Sequence, residues 1–588
     1  MDAAAPVATN VIDRLLRPGR DGGRDRLLDV LWLLGFGLLL IGTGLGLRDP
    51  WPPDEPRFAL VAQDMLRSGD FLFPRVGGDL YADKPPLFFW LVAAATALTG
   101  SLRVGFLLPS LLGGLGTVLL VYDLVRRARG REAGLATGFV LLLTFQFVWQ
   151  ARQAQIDGVL CFLTTLSLYG LLRHLCLGPA RGWFMAGWTA AGLGVITKGV
   201  GFLPLLAMIP FAVLARRRWR APVPRIGALG VAGLACMLLA IGVWFVPMMV
   251  ASSASPDLLA YRQEILFHQT VTRYADAWHH HAPIYYYFVR IIPLFWLPLI
   301  ALTPWLVPRW RQALRERDLL TAVLLAWVVI VVLFFTLSAG KRTLYILPAL
   351  PAFAMAAGPW LPELLRARGP GRVAFGLATL ITVVAAAAAV VLVARPEREA
   401  HLVATYGLHP VLPLALLALA CAVALAAGGR LRQGWIAYAG VLTCVLVFTG
   451  TVVYPGLNAV RSAREFTERI ERATVGIREL GLVQPKEQYL LQIRRPVYNF
   501  GHARWRDKEG EAADAARWLV ADPSRALVVD KRLRERCFAS AYALDLGKAN
   551  RRHWFLVKGA PDPRCVEAGD PSAARYYVPA DVAVNTGS

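Results

Sequence analysis

Runs of about twenty mainly apolar residues recur along the first three quarters of the chain, with polar and basic stretches between them. Leu27–Leu47, Ile226–Val246, Leu319–Leu337 and Trp435–Val453 are clear examples. As a helix, each run crosses the roughly 30 Å of hydrocarbon in a bilayer. None alternates apolar and polar residues as a membrane strand does, so the pattern favours helices, which satisfy their own backbone groups. The region Pro86–Val125 is long for one crossing and short for two, with Gly100, Ser101 and Arg103 interrupting it. It counts as one crossing, with Leu87–Leu98 as a shallow helix beside the membrane.

From about Leu457 the pattern changes. Ser462–Leu480 and Gly510–Ala521 have helical amphipathic spacing, while Ala526–Val529 and Trp554–Val557 resemble short strands. The predicted fold class is an all-α polytopic membrane domain of about thirteen helices followed by a small C-terminal α/β domain. The expected division is residues 1–26, a transmembrane domain 27–456 with outer loops at 48–86 and 251–283, and an outer domain 457–588. Within the first loop, Pro56–Leu66 carries apolar residues at a spacing that suits a helix lying along the membrane surface.

Composition agrees with this class: of 588 residues, 56% are hydrophobic and 18% charged, and the mean hydropathy is +0.48. The net charge of +23 would suit a nucleic-acid partner if the arginines formed a patch. They fall between the apolar runs instead, as in Arg126, Arg127, Arg129 and Arg131, or Arg309, Arg311, Arg315 and Arg317. That placement excludes a nucleic-acid role, reads as solvated and orientation-setting, and puts these loops and the N-terminus in the cytoplasm. The C-terminal domain then lies outside a cytoplasmic (inner) membrane. The first run lacks a small-residue cleavage site and is read as a retained span. Five cysteines lie in or beside apolar runs, whereas Cys537 and Cys565 lie in the tail, where an oxidising compartment would permit a disulfide that spacing alone does not establish.

Ionisable residues at a membrane boundary are costly unless solvated, paired or functional. Four groups fall on the predicted outer face: Asp54-Glu55-Pro56-Arg57, Tyr81-Ala82-Asp83-Lys84-Pro85-Pro86, Arg152 with Asp157, and Lys341-Arg342-Thr343-Leu344-Tyr345. Lys198, in Thr197-Lys198-Gly199, adds another cation. Carboxylates can take a proton from a hydroxyl or bind a metal, and the cations can hold a phosphate. The Lys341–Arg342 pair is the most informative by charge, because it is basic on the side where few positive charges are expected. Mutual ion pairing and helix capping are the competing structural readings.

Together with Leu344-Tyr345-Ile346-Leu347-Pro348, these motifs resemble those of the 4-amino-4-deoxy-L-arabinose lipid A transferase family, and more distantly the protein mannosyltransferases, all of GT-C fold. The resemblance implies an inverting glycosyltransferase that moves a sugar, an aminoarabinose-type pentose or a hexose, from undecaprenyl or another polyprenyl phosphate. The acceptor would be a lipid such as lipid A, a glycan or a protein on the periplasmic face. It further implies Asp54 and Asp157 as catalytic carboxylates. Arg57, Lys84, Lys198, Arg273, Lys341 and Arg342 would lie around the donor phosphate, with Tyr81 and Tyr345 lining the lipid-carrier pocket. A divalent metal, zinc or magnesium, would use Asp83, which stands where the family has glutamate, with His268, although His279, His280 or His281 could serve instead. The competing class is a transporter or flippase of an anionic lipid-linked sugar; charges at one face and no visible internal repeat favour the enzyme.

Overall fold

The computed structural model describes residues 23–217, 219, 227–266, 282–501, 504 and 507–579. It divides into two compact units. The first comprises Met1–Leu45, Asp83–Phe88 and Leu107–Val452, and the second Gly46–Ala82, Phe89–Phe106 and Val453–Ser588.

Seven helices among the described residues are long and apolar enough to cross a membrane, or nine if two bent pairs are each one span. The expected thirteen is reached only by adding the shorter helical stretches at residues 23–42, 181–198, 203–216 and 349–366. The two bent pairs interrupt the bundle sharply. Arg131–Leu143 turns into Phe145–Ala151 at 70°, and Tyr287–Phe295 into Leu299–Arg315 at 96°. Thr144, extended at φ −82° and ψ 119°, breaks the first. The second breaks at Trp296-Leu297-Pro298, where proline withholds an amide donor from the helix ladder.

The arginines between spans are not simply solvated. Asp29, 3% exposed, accepts from Arg131 (2.6 Å) and from the Tyr122 hydroxyl (2.8 Å). Asp123 takes Arg126 (3.0 Å), Arg127 (2.5 Å) and the Tyr169 hydroxyl (2.5 Å). Arg129 pairs with Asp318, and Arg309 with Glu363. The solvated reading holds for Arg311, Arg315, Arg317, Arg368, Arg372, Arg430 and Arg432, which are exposed, and is corrected only for Arg126 and Arg131, which packed helix ends draw largely out of water and which need a partner there.

In the second unit the helix Glu55–Ser68 has most of its apolar face covered. Of the predicted stripe, Phe58, Leu60, Val61 and Met65 are buried and Leu66 is exposed, so protein covers most of the apolar face that the membrane-surface reading needed. After it comes a small antiparallel pair, β1 (Arg75–Val76) and β2 (Asp79–Leu80). Helix Arg464–Ala473 ends well before Leu480, because the rest of the predicted helix is strand β3 (Glu479–Leu482). β3 joins β4 (Val497–Asn499), β5 (Arg525–Asp530), β6 (Tyr542–Ala549), β7 (Arg552–Lys558) and β8 (Arg575–Tyr577) in a sheet ordered β6-β7-β5-β3-β4-β8. The central β5-β3-β4 pairings are parallel, with Leu480 opposite Ala526, and the outer ones are antiparallel. The parallel strands are covered by helix Lys508–Val520, whose Ala512, Ala515, Ala516 and Leu519 join Leu527 and Val529 in one core. Cys537 and Cys565 form a disulfide with Cα atoms 5.8 Å apart, tying helix Lys531–Cys537 to helix Pro563–Ala568.

Two buried carboxyls in this unit carry a pH signature. Burial pushes Glu511 up to about 7, even though the Gln484 backbone N–H donates to it at 2.6 Å. Burial also pushes Asp64 up to about 6 against the opposing Arg67, Tyr577 and Gly77. An acid whose folded pKa lies above its unfolded value binds its proton more tightly when folded. The associated stability is complete below the unfolded pKa and is lost as pH rises through the folded one. Thermal unfolding of the purified protein should therefore show lower stability of this unit at pH 8 than at pH 5.5. Glu511→Gln should remove up to about 2 kcal/mol of that dependence.

Candidate functional site

In the first unit the chain places Asp157 in the first turn of helix Ile156–Leu175 and Lys198 at the last residue of helix Arg181–Lys198. An anion at a helix start and a cation at a helix end both suit the backbone dipoles. The two side chains meet: Lys198 Nζ donates to Asp157 Oδ1 at 2.5 Å, with both largely buried. Lys198 Nζ also lies 4.3 Å from the centroid of the Tyr345 ring, a cation–π contact that strengthens when water is excluded. Gly199 follows at φ 74° and reverses the chain, a conformation that disfavours any side chain with a Cβ. Gly201 then packs so closely on Gly194 that a Cβ would come within 2.0 Å of the Gly194 backbone. The Thr197-Lys198-Gly199 motif thus presents its lysine at the tip of a tightly packed turn.

Tyr345 belongs to a short 3-10 turn, Thr343–Ile346, that follows Lys341 and Arg342. Lys341 is 8% exposed, and its ammonium donates to the Ser338 carbonyl at 2.7 Å. The turn is anchored from outside itself. Gln146 Nε2 donates to the Thr343 carbonyl at 2.7 Å, the Tyr287 hydroxyl donates to the Arg342 carbonyl at 3.2 Å, and the Tyr286 and Thr343 hydroxyls are 3.4 Å apart. Lys84, also in this unit, donates to the Asp83 carbonyl at 2.7 Å, and Pro85 and Pro86 follow before helix Leu87–Thr99 begins. Arg152, next to the Asp157 helix, is 3% exposed and donates to the carbonyls of Leu40, Thr43 and Leu446. It caps backbone groups where residues 38–42 depart from regular α-helix geometry.

In the second unit Asp54 is half-buried at the residue preceding helix Glu55–Ser68. Its neighbour Glu55 is committed elsewhere, accepting from Arg48 (Nη2 to Oε1, 2.7 Å) and from the Trp51 backbone N–H (2.9 Å). Arg48 is 2% exposed and boxed by the rings of Tyr454, Phe106 and Trp51 at 4.8, 5.2 and 5.3 Å. Asp49 accepts from Arg103 (2.6 Å), Arg464 (2.7 Å) and Asn458 (2.8 Å). Arg57 pairs with Glu487 at 2.7 Å and interacts with the Tyr81 hydroxyl. Burial opposes its charge, yet Glu487 and Tyr81 outweigh burial and hold the guanidinium above its ordinary range.

Within the first unit the structure thus brings Asp157, Lys198 and Tyr345 into contact and sets Lys341 and Arg342 on the same short connection as Tyr345. Arg57 and Tyr81 meet within the second. Arg273 and the metal candidates His268, His279, His280 and His281 lie outside the described residues. Asp83 is described, but among the described residues no three His, Cys, Asp or Glu side chains gather to hold a metal ion. The sequence reading missed Glu487, Arg48 and Gln146. Gln146 had a signal, a lone amide inside the apolar stretch Val140–Val148.

With this geometry established, residues 83–244 match a family model described as dolichyl-phosphate-mannose-protein mannosyltransferase. The undecaprenyl phosphate-alpha-4-amino-4-deoxy-L-arabinose arabinosyl transferase of Pseudomonas aeruginosa strain PAO1 is 32% identical over 364 residues, covering 60% of this chain and 63% of that protein. A similarly named protein of Pseudomonas fluorescens strain Pf0-1 is 32% identical over 342 residues, covering 57% and 60%. The matched region therefore spans less than two thirds of these relatives' length. The crystal structure of ArnT from Cupriavidus metallidurans bound to undecaprenyl phosphate superimposes with a TM-score of 0.69 at 21% identity, covering 93% of this chain and 99% of that one. The apo form of the same protein gives 0.68.

The chain is therefore an integral, multi-pass membrane protein of GT-C fold. Within that class its sequence is similar to the aminoarabinose transferases of Pseudomonas.

Proposed function

We propose that this protein transfers a sugar from undecaprenyl phosphate to a lipid acceptor of the lipid A kind, at the periplasmic face of the inner membrane. The observation that carries the proposal is the buried Asp157–Lys198 pair under the Tyr345 ring, beside the connection that bears Lys341 and Arg342. In such a transfer the acceptor oxygen attacks the anomeric carbon from the face opposite the phosphate. The bond to phosphate breaks with its electron pair, and negative charge grows on the phosphate oxygens. Preorganised cations in a partly dry site stabilise that charge more in the transition state than in the ground state. Lys198, Lys341 and Arg342 supply the cations in the first unit, and Asp157 holds Lys198 in place. Phosphate leaves with little acid assistance, so the demanding proton transfer is from the acceptor hydroxyl. Asp54 is assigned to it, with Arg57 and Tyr81 as donor-side groups, on the family resemblance alone. The disulfide in the second unit fits an oxidising compartment and so supports a periplasmic location.

Mass spectrometry of envelope lipids from cells with and without the gene tests this reading. A sugar-sized mass increment on a phosphorylated lipid, present only with the gene, is the expected result. Identical lipid profiles with a changed glycoprotein would move the acceptor to protein, and identical profiles throughout would remove the proposal.

A further inference from the structure

Both bent spans and the Arg342–Thr343 connection converge on one side chain. Gln146 is fully buried in the short helix that begins after the Thr144 break. Its Oε1 accepts from the indole Nε1 of Trp296 at 2.7 Å, at the break of the other bent span, and its Nε2 donates to the Thr343 carbonyl at 2.7 Å. The neighbouring Phe145 N–H donates to the Leu297 carbonyl at 2.9 Å, so the two breaks are also joined through backbone. Trp296 is 1% exposed, which leaves its ring no alternative partner in water. A primary amide suits this place because it donates on one side and accepts on the other, and both directions are fixed by what it meets.

We infer that Gln146 is a positioning residue that sets the register of the Arg342–Thr343 connection against the two bent helices, and through it the affinity for the phosphate of the lipid-linked donor. The inference rests on the proposed transfer activity. An anion clamp works only if its donors are held where the phosphate arrives, and a displacement of about 1 Å far from the reacting atoms can cost about a hundredfold. Gln146 supplies that hold from a helix the reaction does not otherwise use. Tyr286 and Tyr287 add further ties to the same two residues, which limits how far the connection can drift when Gln146 is changed.

Gln146→Glu keeps size and the acceptor toward Trp296 but, as a carboxylate, loses the donor toward Thr343, and Trp296→Phe keeps an aromatic ring but loses the indole donor. Steady-state transfer by the purified full-length protein, with undecaprenyl-phosphate-linked sugar as the varied substrate, separates KM from kcat. Direct binding of undecaprenyl phosphate itself is measured alongside. Gln146→Glu should weaken carrier binding and raise KM for the donor about tenfold or more, with kcat within about threefold of wild type, and its buried carboxyl should lower the melting temperature without unfolding the protein. Trp296→Phe should shift KM in the same direction by less. The inference is overturned if wild type binds the carrier and transfers while Gln146→Glu matches it in KM and carrier affinity. It is also overturned if both variants lose activity only in step with melting temperature, since that is what a purely structural role would give. Wild-type protein that binds the carrier but does not transfer contradicts the proposed function, and leaves the carrier-affinity comparison to decide the role of Gln146.

Discussion

Replacing Lys198 by methionine should cost about 3–5 kcal/mol of stability and abolish measurable transfer, because it strands the Asp157 carboxylate in a largely buried site. Breaking one side of a buried ion pair leaves a charge with nothing to offset its lost hydration, whereas removing both charges together is close to neutral for folding. The informative protein is therefore the double variant Asp157→Asn with Lys198→Met. Its melting temperature should return most of the way to wild type, while transfer stays at least about a hundredfold down, the order expected when a preorganised group facing developing charge is lost. Thermal unfolding in detergent and a transfer assay on the same preparations separate the two effects. A double variant that is stable and fully active would reduce the pair to a structural staple, and Lys198 would have no part in holding the phosphate.

The second large effect is expected at Asp54. Asp54→Asn should lower kcat by about 10²–10⁴-fold, the range typical of losing a general base. Stability should hold, because asparagine has the same shape as aspartate and Asp54 makes no side-chain cap bond to the helix it precedes. The acceptor's own acidity offers a further handle: a more acidic hydroxyl needs less help in losing its proton, so the variant's deficit should shrink with such an acceptor. Equal activity of Asp54→Asn and wild type would move the proton transfer to another group and leave Asp54 without a chemical role.

Much of this architecture was legible as sequence. Twenty-residue apolar runs and basic connections announced a helical membrane protein, and the switch of pattern near Leu457 announced a mixed tail in which the central residues of β5 and β7 were placed, one or two residues short at each end. What failed had a common cause. The predicted helix through Leu480 absorbed β3, because a four-residue strand buried on both faces has too short a pattern to declare itself. The Glu55–Ser68 stripe was assigned to a membrane surface because periodicity reports that a face is covered without reporting by what. At the site, residue types could be read, and Asp157, Lys198 and Tyr345 were named individually. That Lys198 would pair with Asp157, forty-one positions away, or that Arg57 would be engaged by Glu487, depends on tertiary contacts that no local spacing encodes. Gln146 shows the same limit more sharply, since its meaning lies in joining two helix breaks that the apolar runs conceal.

The most direct test is to reconstitute the purified protein into vesicles with radiolabelled undecaprenyl-phosphate-linked sugar and a phosphorylated glycolipid acceptor, then follow the label by chromatography. Transfer predicts that label leaves the polyprenyl carrier and appears on the acceptor, with free undecaprenyl phosphate released in equal amount. Intact donor that merely changes leaflet, with no label on any acceptor, would contradict it and identify the protein as a carrier of lipid-linked sugar.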